Sequence, residues 1–289
     1  MILYCIIKSE NAIANLNTYN LLKKACEDRG VEFIPLEADT LNYATIYDEI
    51  VEGSLLYRLA SSHRAALLEA LLDDKVITLR KDNASLLSRA FGWGSALRLE
   101  RAGVSIIPTI YNVSRNHDAQ LQDYVKRLGG FPIVLKSSGH SHGAGVMMLN
   151  SLGSLRSVLD YISDETTSNL VLRKYIANAR HLRLVVVGNK VADSIEYLPQ
   201  PGDFRTNAVA TPQVKQLSFV DPKITADAIK AVEVLGLEFG GVDVLIDEED
   251  NFYIAEVNHP CNFARNQLNT GVDISGMMVD ALLKKANQT

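Results

Sequence analysis

The stretch from Gly241 to Asn258 constrains the fold of this 289-residue chain more than any other. In Gly241-Val242-Asp243-Val244-Leu245-Ile246-Asp247 the residues alternate, so Val242, Val244 and Ile246 share one strand face. A polar turn, Glu248-Glu249-Asp250-Asn251, leads into Phe252-Tyr253-Ile254-Ala255-Glu256-Val257-Asn258. A hairpin loop of those four residues pairs 247 with 252 and therefore 243 with 256. Asn258 then shares a face with Glu256. Carboxylates opposed across a ladder repel. A hard cation such as Mg²⁺ reverses the sign, because it takes oxygen ligands from one or two carboxylates together with phosphate and water. A solvated acidic hairpin is the competing reading of the same residues.

The rest of the composition narrows the class. Hydrophobic residues make up 47% of the chain, enough for a substantial core divided into two or three subdomains. A net charge of −5 gives no electrostatic footprint for nucleic acid and no polybasic membrane patch. Cys5, Cys26 and Cys261 are odd in number and lack C-x-x-C spacing, which argues against a disulfide framework or a zinc site and fits a reducing, cytoplasmic setting. Met1–Ile7 is too short for a signal-peptide core and reads as a first strand, and no run approaches a membrane span. The expectation is a soluble, intracellular α/β protein.

Strands and helices alternate in the first third. Strands are expected at Ile2–Ile7, Val31–Leu36, Leu55–Leu59 and Val76–Leu79. Leu16, Tyr19, Leu22 and Cys26 recur at helical spacing before Gly30, and a second amphipathic segment runs from His63 to Leu72 behind Ser61 and Ser62 as caps. This order predicts a small parallel sheet covered by helices. A long helical pattern spans about Ala84 to Ala102. Further on, Pro132–Lys136 enters Ser137-Ser138-Gly139-His140-Ser141-His142-Gly143-Ala144-Gly145, and the apolar Val146–Leu149 follows. Strand, glycine-rich loop and strand make a hairpin lid, with a covering helix at Leu152–Ile162. Strands at Leu170–Ile176, Leu182–Val187 and Val191–Tyr197 precede a polar loop from Pro199 to Pro212. Asp221 and Pro222 read as the cap and first residue of a helix carrying Ile224, Ala228, Val232 and Leu235, and a last helix covers Ile274–Ala286.

The glycine-rich loop is not a P-loop, since no Gly-Lys-Ser/Thr ends it, and a strand rather than a helix follows. Glycines at 143 and 145 would nevertheless let backbone N–H groups approach phosphate oxygens, and Lys136 could bring its ammonium to the same phosphates. A plain flexible turn is the alternative. His140 and His142 mimic a metal pair but have no third ligand nearby in sequence.

Taken in order, Lys136…Gly143-x-Gly145-Val146, Lys174-Tyr175-Ile176, Arg183, Gly202-Asp203-Phe204-Arg205-Thr206-Asn207 and Asp243…Glu256-x-Asn258 resemble the ATP-grasp superfamily. Within it, the tail Glu256-Val257-Asn258-His259…Thr270-Gly271-Val272-Asp273-Ile274 resembles RimK-type and LysX-type amino-acid (α-L-glutamate) ligases. The resemblance covers roughly residues 50 to 286 and is most specific in the final hundred. It implies an ATP-grasp fold: an N-terminal parallel α/β domain (1–82), a central subdomain with the lid (83–168), and a C-terminal subdomain with the metal site (169–289), the last two clamping ATP.

The resemblance also implies roles. Lys136 would contact the ATP phosphates, and the loop Ser141, His142, Gly143 and Gly145 would close over them. Lys174, Tyr175 and Ile176 would sit at the hinge that reads adenine. Asp243, Glu256 and Asn258 would hold Mg²⁺, with Mn²⁺ as the alternative. Arg183, Arg205 and Asn207 would lie near the γ-phosphate and the carboxylate being activated. The implied reaction is an ADP-forming amide synthesis through an acyl phosphate, on an amino acid, a peptide, a protein C-terminus or a carrier protein. No nucleic-acid or membrane partner is implied, and related ligases form homo-oligomers.

Four positions depart from the pattern. Gly92 stands where RimK-type ligases carry a lysine (Arg89 is near enough to substitute), and Lys174 and His181 stand where acidic residues are usual. Ala210-Thr211-Pro212 replaces the Arg-Gly-Gly that often follows Asn207. These departures keep a second class open, a nucleotide-binding scaffold or partner subunit, and a third, an ATP-grasp kinase or thioester-forming enzyme. Among other residues, Cys261 reads as a buried thiol rather than a nucleophile, Trp93 as a packing anchor and Asp273 as a helix cap. Arg265 and Asn266 read either as substrate-recognising residues or as part of an exposed loop.

Overall fold

Apolar runs buried on both faces build the first layer. In the computed structural model, which describes residues 1–9, 16–81, 93–114, 117–137, 145–162, 170–199 and 213–288, β1 (Ile2–Ile7), β2 (Glu32–Glu37), β3 (Ser54–Arg58) and β4 (Val76–Ile77) form a parallel sheet ordered β2-β1-β3-β4. All of β3 and all but the first residue of β1 are buried, as a parallel sheet covered on both sides requires. Helices α1 (Leu16–Glu27), α2 (Ile46–Glu49) and α3 (His63–Leu71) make the crossovers. Ser62 caps α3 by accepting from the Ala65 N–H at 3.2 Å. The expected strand 76–79 is cut to two residues because the chain changes partners: Leu79 O accepts from Glu238 N–H, and Arg80 forms an isolated bridge with Leu237.

After α4 (Gly94–Arg101) come β5 (Thr109–Tyr111), α5 (Asp118–Arg127), β6 (Ile133–Ser137), β7 (Val146–Leu149), α6 (Leu152–Tyr161) and β8 (Leu170–Lys174). The strands form an antiparallel sheet ordered β5-β8-β6-β7. Ile133 and Leu135 face α5 and α6, while Val134 and Lys136 leave the opposite face. A capping box between Ser151 and Ser154 opens α6. Of the expected long helix 84–102, Gly94–Arg101 is described and 82–92 lies outside the described residues. The expected strand 170–176 ends at Lys174, whose N–H donates to Pro108 O at 3.0 Å.

The third sheet is antiparallel, ordered β11-β10-β9-β12-β13, from β9 (Arg180–Val187), β10 (Lys190–Tyr197), β11 (Val214–Gln216), β12 (Phe239–Ile246) and β13 (Phe252–Asn258). Helix α7 (Pro222–Val234), capped by Asp221 with Pro at its start, buries Ile224, Ala228, Ala231 and Val232 against one face. Helices α8 (Ala264–Thr270) and α9 (Ile274–Ala286) close the chain, and Asp273 caps α9 at the Gly276 N–H. The N-terminal sheet, α1 and α9 share one core with Val185, Phe239, Cys261 and Phe263, so the first and third layers are joined by apolar packing. The segment leading to β5 runs along β13: Ile254 N–H donates to Ser105 O, and Ser105 Oγ donates to Phe252 O.

Candidate nucleotide and metal site

The turn of the β12–β13 hairpin closes one residue earlier than its loop length predicts, with Ile246 opposite Phe252. A regular ladder from there would set Ala255 opposite Asp243 and turn Glu256 to the other face. A bulge between 254 and 256 absorbs one residue, and Glu256 ends opposite Asp243 after all. Asn258 Nδ2 then donates to Asp243 Oδ2 at 2.9 Å and to Glu256 Oε1 at 3.0 Å, so the three side chains converge on one point.

The two carboxylates are not left to repel; the chain's own cations hold them. Asp243 is 3% exposed and accepts from Arg183 Nη1 at 2.6 Å, with His181 Nε2 at 3.2 Å from its other oxygen. Burial alone would lower the Arg183 pKa, but the charges of Asp243, Cys261, Tyr197 and Glu256 together more than offset it and raise the net value. Glu256 accepts from Lys136 Nζ at 3.1 Å across the gap between the second and third sheets. The Lys136 charge, opposed by burial, holds the Glu256 carboxyl well below the usual range. Gly241 is what lets Arg183 lie there: a Cβ at 241 would stand 2.9 Å from Arg183 Cζ and 2.7 Å from Cys261 Sγ.

Lys136 Nζ also lies 5.6 Å from the centroid of the Trp93 ring, and Arg173 Cζ lies 5.2 Å from the same ring. Trp93 occupies the N-cap position of α4 and meets two cations, a more specific place than a packing anchor. The lid hairpin is paired to Lys136–Val146, with Ser137 N–H donating to Gly145 O and Gly145 at φ 72°. Lys174 ends β8, and the half-buried Tyr175 and buried Ile176 follow it toward β9. Ser141, His142, Gly143, Arg205 and Asn207 lie outside the described residues, as do Arg89, Gly92, His140 and Ala210.

Two oxygen-bearing carboxylates with an amide oxygen suit a hard divalent cation. Toward such a cation Asn258 would present Oδ1, where it now presents its NH₂ group. Among the described residues no group of three or more His, Cys, Asp or Glu is placed to hold a metal ion. The Cys261 thiol is buried and pushed up to about 11 by that burial, which makes it an unreactive packing group. Arg265 and Asn266 sit on α8 rather than in an exposed loop. The Asn266 side chain is 1% exposed and donates to Asp193 Oδ2, and Arg265 stacks over Tyr197. Sequence reading missed Arg173 and Trp93 as site neighbours, because their meeting depends on how two sheets dock.

No helix among the described residues is long and apolar enough to cross a membrane. Solved structures with the same fold include an ATP-grasp ligase, PsnB, complexed with minimal precursor, Mg and ADP (TM-score 0.73, 14% identity, 99% of this chain and 97% of that one). They also include D-alanine–D-alanine ligase from Bacillus anthracis (TM-score 0.74, 16% identity, 99% and 98%). Among curated relatives, the ribosomal protein bS6–L-glutamate ligases of Salmonella paratyphi B and Salmonella newport are 31% identical over 190 residues, 65% of this chain. The match spans 61% of the length of those relatives. The profile of the RimK-like ATP-grasp domain matches residues 94–282, which hold Lys136, Arg183, Asp243, Glu256 and Asn258, and the chain belongs to that family.

Proposed function

We propose that the chain is an ATP-dependent carboxylate–amine ligase, forming ADP and an amide through an acyl phosphate. The observation that carries this reading is the meeting of Asp243, Glu256 and Asn258 with Lys136 at one gap between two sheets. Mg²⁺ or Mn²⁺ bound by Asp243, Glu256 and Asn258 would neutralise charge on the phosphates. Lys136, released from Glu256 when that carboxylate is otherwise occupied, turns its ammonium to the phosphates. Arg183 orients Asp243 through Nη1 and, by family resemblance, lies near the carboxylate being activated. Arg205 and Asn207 complete the anionic side of the site by family resemblance. Lys174, Tyr175 and Ile176 form the adenine hinge, and Ser141, His142, Gly143 and Gly145 the lid that excludes water from the acyl phosphate.

The named relatives act on a ribosomal protein, and PsnB was seen with a precursor. We assign this chain the same breadth, an amino acid, a peptide or a protein carboxyl end as acceptor, and a cytoplasmic location suited to its buried, unbridged cysteines. ADP and phosphate should appear only with a suitable carboxylate, and hydroxylamine should trap a hydroxamate in place of the amine. AMP formation would overturn the acyl-phosphate route. The scaffold reading is favoured by one observation, His181 lying at 3.2 Å from an oxygen that the cation would need. Tight Mg²⁺-ATP binding with no turnover across carboxylates and amines would select it.

A further inference from the structure

Arg173 is an expensive residue for its position. It stands on β8 opposite Val134 of β6 and Thr109 of β5, so its side chain leaves the sheet on the same face as Lys136. Only 7% of it is exposed, and burial lowers its pKa. No carboxylate is paired with it among the described ion pairs, and its buried Nε has no hydrogen-bond partner among the described residues. An apolar side chain would fill the space at lower cost unless the guanidinium has a task.

Its contacts indicate the task. Nη1 donates to the carbonyl of Ala255 at 3.0 Å. Ala255 is the residue that the bulge leaves without a partner in β12, so Arg173 restrains the one place where the β12–β13 ladder lapses. Glu256 is the next residue. The guanidinium is held over the Trp93 ring, 5.2 Å from its centroid, and Lys136 Nζ is 5.6 Å from the same centroid.

We propose that Arg173 is a positioning residue for Glu256, acting through the bulge carbonyl of Ala255, with Trp93 as the platform that holds it. The proposal rests on the reading of Asp243, Glu256 and Asn258 as a divalent-cation site. It links two layers: the central sheet aims a carboxylate that belongs to the third sheet. The conservative fork matters, since lysine can reach a carbonyl but cannot donate to it while lying flat on the indole.

Trp93 is the single tryptophan of the chain, so its fluorescence reports the site directly. The experiment titrates Mn²⁺ into the full chain with ADP, by tryptophan fluorescence and by calorimetry, and repeats the ADP titration with EDTA. Arg173→Ala should weaken Mn²⁺ about 10-fold, roughly 1.4 kcal/mol, while metal-free ADP affinity stays within about twofold. Arg173→Lys should recover part of the loss, and if Arg173→Ala does not fold, Arg173→Lys alone still shows an Mn²⁺-specific weakening. Unchanged Mn²⁺ affinity in a folded variant overturns the role of Arg173, as does an equal loss of ADP affinity with and without metal. If the unaltered chain shows no Mn²⁺-dependent ADP binding, the cation site itself is wrong and this role falls with it.

Discussion

Two clusters in this chain are built from the same parts, carboxylates and arginines, and they behave differently. At the C-terminal end of β3, Arg58 Nε donates to Glu69 Oε2 at 2.5 Å, Arg80 lies 3.5 Å from the other oxygen, and His259 approaches from just beyond β13. Burial alone would raise the Glu69 carboxyl, but His259, Arg58 and Arg80 hold it well below the usual range. The Arg58 and Glu69 side chains are 1% and 3% exposed. At the β12–β13 hairpin, by contrast, the Lys136 and Glu256 side chains are 24% and 41% exposed. The first cluster is sealed and its partners are permanent. The second is half open at Lys136 and Glu256, while Asp243 and Arg183 behind them are buried, and it is the Lys136–Glu256 pairing that can be exchanged for a ligand. Equal chemistry serves stability where water is excluded and binding where it is not.

The largest effect expected is at the sealed cluster. Glu69→Ala leaves the buried Arg58 guanidinium without its carboxylate, Arg80 keeping Asp73, and should cost about 3–5 kcal/mol in urea unfolding, as removing one partner of a buried pair does. A loss comparable to a surface substitution would erase the contrast. At the open cluster Glu256→Gln should change metal-free stability by less than about 1 kcal/mol. The same variant should abolish the rise in melting temperature that Mg²⁺-ATP gives the parent chain. A Glu256→Gln protein that still responds to Mg²⁺-ATP would break the assignment of that cluster to binding.

The pH dependence sharpens the difference further. The folded Glu256 carboxyl is depressed, chiefly by Lys136, so its contribution to stability is present above the ordinary glutamate value and is lost as pH falls through the lower folded value. Lys136→Ala removes the largest cause, and NMR titration of Glu256 should then move upward. The smallest effect belongs to a pair in neither cluster: Lys24 and Asp28, exposed and 3.0 Å apart at the end of α1, should contribute no more than about 0.5 kcal/mol in a double-mutant cycle.

How much of this is legible in the residues depends on the range of the interaction. Strand β1 and helices α7 and α9 follow from local periodicity and caps, because Asp221 and Asp273 bond to N–H groups a few positions away. The facing of Asp243 and Glu256 is read from loop length, yet it is achieved by a bulge that no residue between 252 and 256 announces. Helix α5 has a thin stripe, Leu121 and Val125, and α8 buries Asn266, so neither shows the usual apolar period. The ion pair of Lys136 with Glu256 and the approach of His259 to Glu69 are set by the docking of layers, a long-range outcome to which local pattern is blind.

The segment lying along β13 has a consequence for how copies of this chain can meet. Strand β13 ends its sheet, and an uncovered terminal strand is a template for pairing with another molecule. Ser105 occupies the outward groups of Ile254 and Phe252, so the half of β13 nearest the turn is withdrawn from such pairing. That half of the strand is thereby closed to backbone pairing with an identical copy, and the Ala255 carbonyl beyond it is already occupied by Arg173.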